Sequence, residues 1–290
     1  MRIPESELII NADGSAFHIH LKPEELADKV ILVGDPGRVD MVGEFLTDRE
    51  FRHSSREFVS ITGRYRGERI TVLSTGIGTD NIDIVMTELD ALANVDFATR
   101  EVKPEHRTLT VLRIGTTGAI QADIPLGSFI FSEISVGCDG LLNWYGNRDK
   151  VNIPEMEEAF KAHTHWSPYL SSPYFVKAGE KLTEAFRGCT VKGVTISAQG
   201  FYGPQGRIVR LPLGMPDMLE TFESFRFGEY RITNFEMESS AVAGLGALLG
   251  HTAGTVCCVI ANRYLQNSNT DYKPQVRKLV ELALDKMAGI

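Results

Sequence analysis

The chain has 290 residues, of which 43% are hydrophobic and 23% charged, and its formal net charge is −8. A chain of this length can bury a sizeable core, whereas the negative charge argues against broad binding to nucleic acids or anionic membranes. No apolar run approaches the roughly 20 residues of a membrane-spanning helix, and the first residues lack the basic and apolar regions of a signal peptide, so we expect a cytoplasmic globular protein with no membrane partner.

Along the chain, apolar and β-branched runs bounded by glycine or charge alternate with helical patterns. Such runs are typical of strands covered on both faces. Strands are predicted for residues 29–35, 69–78, 108–118, 127–137, 192–202 and 254–263. Helices are predicted for residues 83–95, 175–186, 239–250 and 274–287. This alternation predicts an α/β fold with a largely parallel or mixed sheet.

Two further segments have patterns of their own. Residues 56–76 predict an antiparallel hairpin that turns at Arg66 and Gly67. Residues 143–174 are the least regular and predict an irregular excursion near an active site or a subunit contact. Because no repeat or Pro-, Gly- or Ser-rich linker interrupts the chain, we predict a single domain over residues 1–290, with an N-terminal extension at 1–16.

The cysteines show no spacing typical of a metal site or a redox pair. They are Cys138, Cys189, Cys257 and Cys258, and none forms a CxxC motif. This pattern favours reduced thiols in the core, and we predict no metal ligand set.

Two motifs early in the chain carry arginines that could hold an anion. GDPGR follows the first predicted strand, where Gly34 and Gly37 permit sharp turns and Arg38 could close over an anion. The motif matches neither GxGxxG nor a Walker A loop, which argues against a dinucleotide or nucleoside triphosphate. SSREF offers Arg56 as a second guanidinium. The alternatives are a plain structural turn and a solvated surface arginine.

RIGTTG follows the apolar run at residues 108–112 and forms the end of the strand predicted for residues 108–118. Arg113, the hydroxyls of Thr116 and Thr117 and the N–H groups beside Gly115 and Gly118 form a donor set. An oxyanion such as phosphate needs such donors, because charge-assisted bonds to a planar guanidinium are short and directional. A structural ion pair of Arg113 is the alternative.

NFEMESSA is predicted to end a strand and open a helix. A carboxylate accepts several hydrogen bonds, so Glu236 or Glu238 could bind a vicinal diol, and Met237 offers a soft apolar surface to a sugar ring. The alternative is a helix cap, with Ser239 or Ser240 as the N-cap and the glutamates favoured by the helix dipole.

FYGPQGR supplies a flat ring and two polar side chains. Phe201 offers a surface for a planar ligand, and Gln205 and Arg207 follow it closely. An amide presents one donor and one acceptor side by side, which complements the edge of a cyclic imide. A polar turn is the alternative.

Seven motifs together carry a resemblance to a known family. GDPGR, SSREF, STGIG, RIGTTGAI, GFYGPQGR, NFEMESS and VIANR occur in the order, and near the spacing, seen in uridine phosphorylases of the nucleoside phosphorylase-I family. The resemblance covers residues 17–263. It implies a single-domain, three-layer α/β/α fold with a mixed, partly barrel-like central sheet. It also implies reversible phosphorolysis of uridine to uracil and α-D-ribose 1-phosphate, in pyrimidine salvage.

The resemblance assigns roles to three sets of residues. The phosphate-binding positions match Gly34, Arg38, Arg56, Arg113 and Thr116. The ribose positions match Met237, Glu238, expected on the 2′ and 3′ hydroxyls, and His18, expected on the 5′ hydroxyl in a neighbouring subunit. The uracil positions match Phe201, Gln205, Arg207 and Arg263. Arg113 is expected to fix the attacking phosphate, and Gln205 and Arg207 to stabilise the departing uracil anion.

Departures from related enzymes narrow the expected reaction. Purine-specific relatives carry an aspartate after the strand that corresponds to VCCVIAN, and this chain lacks that acid. Hydrolytic relatives lack the arginine set. Both differences favour a pyrimidine phosphorylase. A purine nucleoside phosphorylase or nucleosidase of the same fold, and a non-catalytic nucleoside-binding protein, stay open as alternatives.

The resemblance also bears on cofactors and partners. Some bacterial members hold potassium with a glutamate matching Glu57, a carbonyl matching Ile77 and a serine where this chain has Asn81. We therefore predict no cofactor, with inorganic phosphate as a co-substrate, and leave a bound potassium ion open. The expected partners are uridine, phosphate and further copies of the chain in a homodimer or an assembly of dimers.

Overall fold

The structure is a computed structural model that describes residues 2–290. The strands are β1 Lys29–Val33, β2 Thr47–Ser55, β3 Phe58–Tyr65, β4 Glu68–Ser74, β5 Val95–Asp96, β6 Glu101–Val102, β7 Thr110–Ala119, β8 Phe129–Gly137, β9 Tyr174–Lys177, β10 Val191–Ser197, β11 Arg226–Phe227, β12 Tyr230–Glu236, β13 Thr252–Asn262 and β14 Asn267–Ser268. The α-helices are α1 Pro36–Gly43, α2 Thr79–Asn94, α3 Pro154–Thr164, α4 Glu180–Phe186, α5 Met218–Ser224, α6 Ser239–Leu248 and α7 Lys273–Ala288. Within this range, no helix combines the length and the apolar composition needed to traverse a bilayer.

One mixed sheet of twelve strands forms the centre of the molecule. Its order is β11-β12-β10-β8-β13-β7-β1-β4-β3-β2, with β9 paired to β8 and β14 paired to β13. The central pairs β1–β4, β1–β7 and β13–β7 are parallel, whereas β2, β3 and β4 are antiparallel. Because β12 also pairs with β7, the strands β12, β10, β8, β13 and β7 close into a ring. The predicted mixed, partly barrel-like sheet is confirmed.

Helices cover both faces of the sheet because alternate strand residues are apolar on both sides. Val30 and Leu32 of β1 belong to a buried cluster with residues of α2 and α6. Ile31 and Val33 of the same strand belong to another cluster with α1, α4 and α7. This alternation is typical of a sheet buried between two helical layers, and the predicted three-layer α/β/α architecture is confirmed.

The predicted helix at 175–186 is wrong in its first part. The chain there forms β9, which pairs antiparallel with β8, and α4 begins only at Glu180. Phe175 and Val176 are fully buried strand residues, and aromatic and β-branched side chains favour strands. A short apolar run beside a helical pattern is too short to show a period of its own, so the sequence does not distinguish a strand there from the first turn of the helix.

The hairpin is confirmed, and a further strand extends it. Arg66 and Gly67 adopt φ angles of 50° and 87°, as a two-residue turn between antiparallel strands requires. The additional strand β2 was not predicted, because its sequence TDREFRHSS is polar and its side chains are mostly exposed. The predicted strand at 192–202 ends earlier, at Ser197, before a glycine-rich segment.

Two other expectations need correction. Residues 143–174 contain a short 3-10 helix at Arg148–Lys150 and the eleven-residue helix α3, so the segment is irregular only in part. Cys138, Cys257 and Cys258 are buried and unpaired, but Cys189 is exposed. It lies in the surface turn that follows α4, so the prediction of a core thiol is wrong there.

We expect Gly137→Ala to lower the free energy of unfolding by about 2–3 kcal/mol through overpacking. Gly137 lies opposite Tyr174 in the β8–β9 pair. A Cβ at position 137 would lie 2.0 Å from Cζ of Tyr174, whose side chain is fully buried. Urea denaturation checks this, with Gly146→Ala as the control because a Cβ there meets no atom within 4 Å. Equal urea midpoints for the two variants would contradict the packing.

Candidate active site

One arginine and two glutamates meet in the interior where β7, β12 and α6 come together. Nη1 of Arg113 lies 3.2 Å from Oε2 of Glu236, and Nη2 of Arg113 donates to Oε2 of Glu238. All three residues are buried. The backbone N–H of Gly78, just before α2, donates to Oε1 of Glu238 at 2.7 Å. Arg113 therefore makes the ion pair that the sequence left open, and its buried Nε still has no hydrogen-bond partner in residues 2–290.

The RIGTTG motif lies inside β7, which ends at Ala119, so the strand predicted for residues 108–118 is confirmed. Arg113 is in register with Leu32 of β1 and Thr255 of β13. A Cβ at Gly115 would lie 2.3 Å from Nη1 of Arg113. The glycine therefore makes room for the guanidinium within a continuous strand.

Glu236 organises the junction between β12 and α6. Its Oε2 accepts the backbone N–H groups of Glu238 and Ser239, each at 2.9 Å. Its Oε1 accepts the hydroxyls of Ser197 at 2.6 Å and Ser239 at 2.7 Å. The prediction of Ser239 or Ser240 as the N-cap is wrong, because Glu236 binds the free N–H groups at this helix end. Ser197 lies in a different strand, and no local pattern in the sequence points to it.

Charge in this cluster is unbalanced, with one guanidinium against two carboxylates. Burial opposes the charged form of Arg113, but Glu238 and Glu236 outweigh it and raise the pKa of Arg113. Burial also disfavours the charged form of Glu238 and so raises its pKa. Arg113 opposes that rise, and Glu236 adds to it. The guanidinium is therefore held in its charged form by its two partners.

Arg38 brings a second guanidinium close to Arg113. It lies in the first turn of α1, and its Nη1 donates to the carbonyl of Ile114 at 3.2 Å. Burial and the proximity of Arg113 lower the pKa of Arg38, and across residues 2–290 it has no ion-pair partner. A Cβ at Gly34 would lie 3.3 Å from the carbonyl oxygen of Gly76 and 4.0 Å from Nη2 of Arg113. Gly34, Arg38 and Arg113 thus come together as expected for an anion site.

The two threonines of the motif have different surroundings. Thr117 is buried, and its hydroxyl donates to the carbonyl of Phe235 at 2.5 Å and accepts from Asn234 at 2.7 Å. Thr116, which precedes Thr117 in the same strand, is half-buried. Thr116 is therefore the threonine whose hydroxyl is available to a ligand.

Arg56 and His18 form a second group, separate from the first. Arg56 lies in the turn between β2 and β3 with φ of 54° and is exposed. Its guanidinium lies 6.0 Å from the centroid of the Phe17 ring, which contacts the ring of His18 edge-on. Arg38 and Arg113 meet in one chain, whereas Arg56 packs beside Phe17.

Glu238 and His18 are contacted at different points along helix α2. Gly78 precedes α2 and binds Glu238, whereas His18 contacts Glu88, ten residues further along the same helix. That distance corresponds to a rise of about 15 Å. His18 is thus brought near Arg56 but not near Glu238 of its own chain.

Phe201, Gln205, Arg207 and Arg263 come together as the third predicted set. The guanidinium carbon of Arg207 lies 3.7 Å from the centroid of the Phe201 ring, and Nη1 donates to Oε1 of Gln205 at 2.7 Å. Nη1 of Arg263 donates to the carbonyl of Gln205 at 2.8 Å. Gly118 of β7 packs against the side chain of Arg263, so this set adjoins the strand that carries Arg113.

The two arginines of this set face a cavity of about 720 Å³ that Phe201 and Asn262 also line. Burial and the neighbouring Arg263 lower the pKa of Arg207 to about 10. Burial also lowers the pKa of Arg263. Neither arginine has an ion-pair partner within the described residues. The cavity therefore presents uncompensated positive charge to a bound group.

A larger apolar cavity of about 1080 Å³ lies on the other side of the same loop. Trp166, Leu170, Leu211 and Met215 are among its lining residues, and Arg207 borders it as well as the smaller cavity. The irregular part of residues 143–174 therefore lies close to the third predicted set, as the sequence suggested.

Asp90, His106 and His251 form a separate group before the first residues of β7 and β13. Nδ1 of His251 accepts the N–H of Leu109 at 3.2 Å, and its Nε2 lies 3.2 Å from Oδ1 of Asp90. A neutral imidazole whose Nδ1 accepts carries its proton on Nε2, so His251 has no lone pair left for a metal. We interpret these contacts as structural.

Comparison with known proteins places the chain among nucleoside-cleaving enzymes. The model of the Phosphorylase superfamily matches residues 28–290. The uridine phosphorylase of Thermococcus kodakarensis is 30% identical over 257 residues, which span 87% of this chain and 79% of that protein. The DeoD-type purine nucleoside phosphorylase of Bacillus cereus is 26% identical over 274 residues, which span 93% of this chain and 97% of that protein.

A solved structure agrees with this chain over nearly its full length. It is a nucleoside phosphorylase of Trypanosoma brucei that shows uridine phosphorylase activity. The two share 27% of their residues, the TM-score is 0.91, and the alignment covers 98% of this chain and 100% of the other. With a TM-score this high, the two structures share the arrangement of the whole sheet and of the helices around it.

We expect Arg113→Met to destabilise the fold in a pH-dependent way, because it leaves Glu236 and Glu238 buried without a cation. The pKa of Glu238, already raised by burial, then rises further, so the folded state holds a proton that the unfolded chain releases. The free energy of unfolding of the variant therefore falls as the pH rises. Urea denaturation is expected to show a loss of about 3–5 kcal/mol against the wild type at about pH 8 and a smaller loss at about pH 5.5.

Arg187→Met is the control, since Arg187 pairs with Glu184 on an exposed surface. We expect it to change the unfolding free energy by less than about 1 kcal/mol at either pH. A loss in Arg113→Met that is the same at both pH values would rule out the uncompensated carboxylates as its cause.

Proposed function

The chain belongs to the phosphorylase superfamily, and on that premise we propose that it catalyses the reversible phosphorolysis of uridine to uracil and α-D-ribose 1-phosphate, a pentosyl transfer in pyrimidine salvage. The observation that carries the proposal is the position of Arg113. It touches the carboxylate of Glu238 and lies beside Gly34 and Arg38. An anion and a sugar diol bound there would share one guanidinium, as the two reactants of a phosphorolysis must.

Phosphate would bind between Arg38, Arg113 and the hydroxyl of Thr116. The unpartnered Nε of Arg113 supplies a buried donor, and Arg38 supplies a guanidinium without a carboxylate partner. Gly34 allows the backbone to come close to the anion, because it has no side chain in that space. Preorganised donors of this kind hold a phosphate oxygen in position for attack on C1′.

The ribose would bind through Glu238. A carboxylate has about four acceptor positions, and here it accepts from the N–H of Gly78, from Arg113 and from the backbone of Met237. The acceptor capacity that remains would take the ribose hydroxyls. Met237, which precedes Glu238 and is half-buried, would offer its side chain to the apolar face of the sugar ring.

Uracil would bind in the cavity beside Phe201. The amide of Gln205 complements the N–H and carbonyl edge of the base, and Arg207 and Arg263 direct positive charge to its oxygens. The two cations have no carboxylate partner in residues 2–290, so they favour a ligand that gains negative charge. As the glycosidic bond breaks, that charge spreads over the departing uracil, while phosphate attacks C1′ from the opposite face and gives the α product.

A purine nucleoside is the alternative substrate, because DeoD-type relatives also match this chain. The pairing of Gln205 with Arg207 favours a pyrimidine, since the amide and guanidinium suit a cyclic imide with two carbonyls. The residue after Asn262 is Arg263, and its guanidinium donates to the carbonyl of Gln205. A cation at this position of the base site favours a base that leaves as an anion, such as uracil. It disfavours a purine base that must be protonated as it leaves.

A second copy of the chain would complete the site. His18 and Arg56 are adjacent through Phe17, but Glu238 is bound at Gly78 and His18 at Glu88, ten residues or a rise of about 15 Å apart along α2. A single nucleoside in contact with Glu238 is too short to reach His18 of the same chain. We therefore assign His18 to the 5′ hydroxyl, and Arg56 to the phosphate, of a neighbouring copy in a homodimer or an assembly of dimers.

The proposed reaction needs phosphate as a co-substrate and no resident cofactor. The side chains of Asn81 and Glu57 both approach Gly76, where a Cβ would lie 2.5 Å from Asn81 Nδ2 and 3.0 Å from Glu57 Cγ. The amide therefore fills the space next to the glutamate. This packing supports the proposal that no potassium ion is needed.

We expect the purified protein to release uracil from uridine only when phosphate is present. Inosine and methylthioadenosine, each with and without phosphate, serve as parallel substrates. Release of hypoxanthine or adenine with phosphate would favour a purine nucleoside phosphorylase, and base release without phosphate would favour a nucleosidase. Binding of uridine without any turnover would contradict an enzymatic role.

Two arginine variants separate the phosphate site from the base site. We expect Arg38→Ala to raise KM for phosphate, and Arg207→Ala to lower kcat for uridine, each by about a hundredfold in kcat/KM. Both arginines lack ion-pair partners in the described chain, so their removal leaves no buried charge unpaired. Arg187→Ala, at an exposed site, is the control, and wild-type kinetics in either site variant would overturn the corresponding assignment.

Mixing two inactive variants tests the shared site. Arg56→Ala removes a residue that we assign to the neighbouring copy, whereas Arg207→Ala removes one from the same chain. In a mixed dimer one site carries both defects and the other carries none, so an equal mixture should recover about a quarter of the wild-type activity after subunit exchange. Activity no higher than the sum of the separate variants would contradict a site built from two copies.

A further inference from the structure

Glu88 is a buried carboxylate of α2 whose hydrogen bonds all go to the segment around His18. Its oxygens accept the backbone N–H of His18 at 3.1 Å and that of Ile19 at 3.0 Å. Its Oε1 also lies 2.6 Å from Nδ1 of the His18 ring. Only 7% of Glu88 is exposed. One side chain therefore holds both the backbone and the ring of His18.

These contacts fix the position of a proton on His18. The backbone N–H groups of His18 and Ile19 can only donate, and they engage both oxygens of Glu88, which therefore acts as the acceptor. Nδ1 of His18 must then carry a hydrogen to bond to it. In the neutral ring the lone pair is left on Nε2, which acts as an acceptor.

The accepting nitrogen belongs to the part of His18 that is not buried. The side chain of His18 is 27% exposed, and no hydrogen bond to Nε2 occurs in residues 2–290. The ring of Phe17 packs edge-on against it, with centroids 4.8 Å apart. The imidazole is thus held from two sides with one nitrogen facing outward, in the orientation that an external hydroxyl group requires.

We infer that Glu88 is a positioning residue that fixes His18 as the acceptor for the 5′ hydroxyl of the nucleoside. It therefore makes the enzyme selective for nucleosides with a free 5′ hydroxyl. The inference rests on the proposed function, in which His18 serves the site of a neighbouring copy. A 5′ phosphate would meet a lone pair with the negative charge of Glu88 behind it, so nucleotides are disfavoured as well as 5′-deoxynucleosides.

The kinetic test compares uridine with 5′-deoxyuridine in the wild type, His18→Ala and Glu88→Ala. We expect the wild type to favour uridine in kcat/KM by about tenfold, the value of one hydrogen bond. Both variants should lose this preference, although Glu88→Ala keeps its histidine, and turnover of 5′-deoxyuridine should change by less than about threefold. Glu155→Ala removes an exposed carboxylate from helix α3 and should keep the wild-type preference.

The outcomes separate this inference from the proposed function. Absence of phosphate-dependent uridine cleavage in the wild type would overturn both. An active wild type whose preference survives in Glu88→Ala would overturn only the role of Glu88. An equal loss of kcat/KM for uridine and 5′-deoxyuridine in Glu88→Ala would also overturn the role of Glu88, because it would indicate a role in stability and not in recognition of the 5′ hydroxyl.

The tautomer of His18 provides a test that needs no turnover and that remains available when Glu88→Ala does not fold. Glu88→Gln keeps the shape of the side chain but lets its amide donate to Nδ1, so the proton moves to Nε2. Nitrogen NMR of ¹⁵N-histidine protein, with His18→Ala to assign the signal, should show a protonated Nδ1 in the wild type and a protonated Nε2 in Glu88→Gln. A wild-type ring protonated only on Nε2 would overturn the inference.

Discussion

A guanidinium buried between two carboxylates connects the parts of this molecule that carry its chemistry. Arg113 comes from β7, Glu236 from the end of β12 and Glu238 from the start of α6, and Glu238 also binds the N–H of Gly78 before α2. Because these contacts fix the relative positions of two strands and two helices, they also fix the proposed anion site beside Arg38 and the proposed diol site on Glu238. The distance between the two proposed reactants is therefore set by one side chain.

Such a cluster is not explained by stability alone. Burying charges removes their hydration, and well-packed apolar side chains of similar volume often give an equal or more stable fold. Glu236 reduces this penalty, since its two oxygens also accept two serine hydroxyls and two backbone N–H groups. What the cluster retains is binding capacity, namely the unpartnered Nε of Arg113 and the free acceptor positions of Glu238. These unused groups are what favours a ligand site over a structural ion pair.

The sequence predicted the layers of the fold and most of its strands, because a sheet buried on both faces leaves continuous apolar runs. It also identified Arg113, Glu238 and the set around Gln205, whose residue types are unusual next to such runs. The exposed strand β2 and the short strand β9 were missed, since neither has a distinctive period. The sequence did not predict the role of Glu236 or the position of Arg56 beside Phe17, because both depend on which elements meet in space. Gly115 was expected to give a ligand access to backbone N–H groups, whereas the structure shows that its small size makes room for the Arg113 side chain.

Helix α2 gives the molecule two functional ends, with Glu238 at its start and the Glu88–His18 pair about 15 Å away. This spacing is why the account requires a second copy of the chain. The central claim is that Arg113 is shared between a phosphate and a nucleoside. A crystal structure with phosphate and a nucleoside analogue bound tests it most directly. The account predicts phosphate oxygens within hydrogen-bond distance of Arg38 and Arg113 of one chain, and the ribose diol on Glu238 of the same chain. Phosphate bound away from Arg113, or a diol that does not touch Glu238, would contradict it.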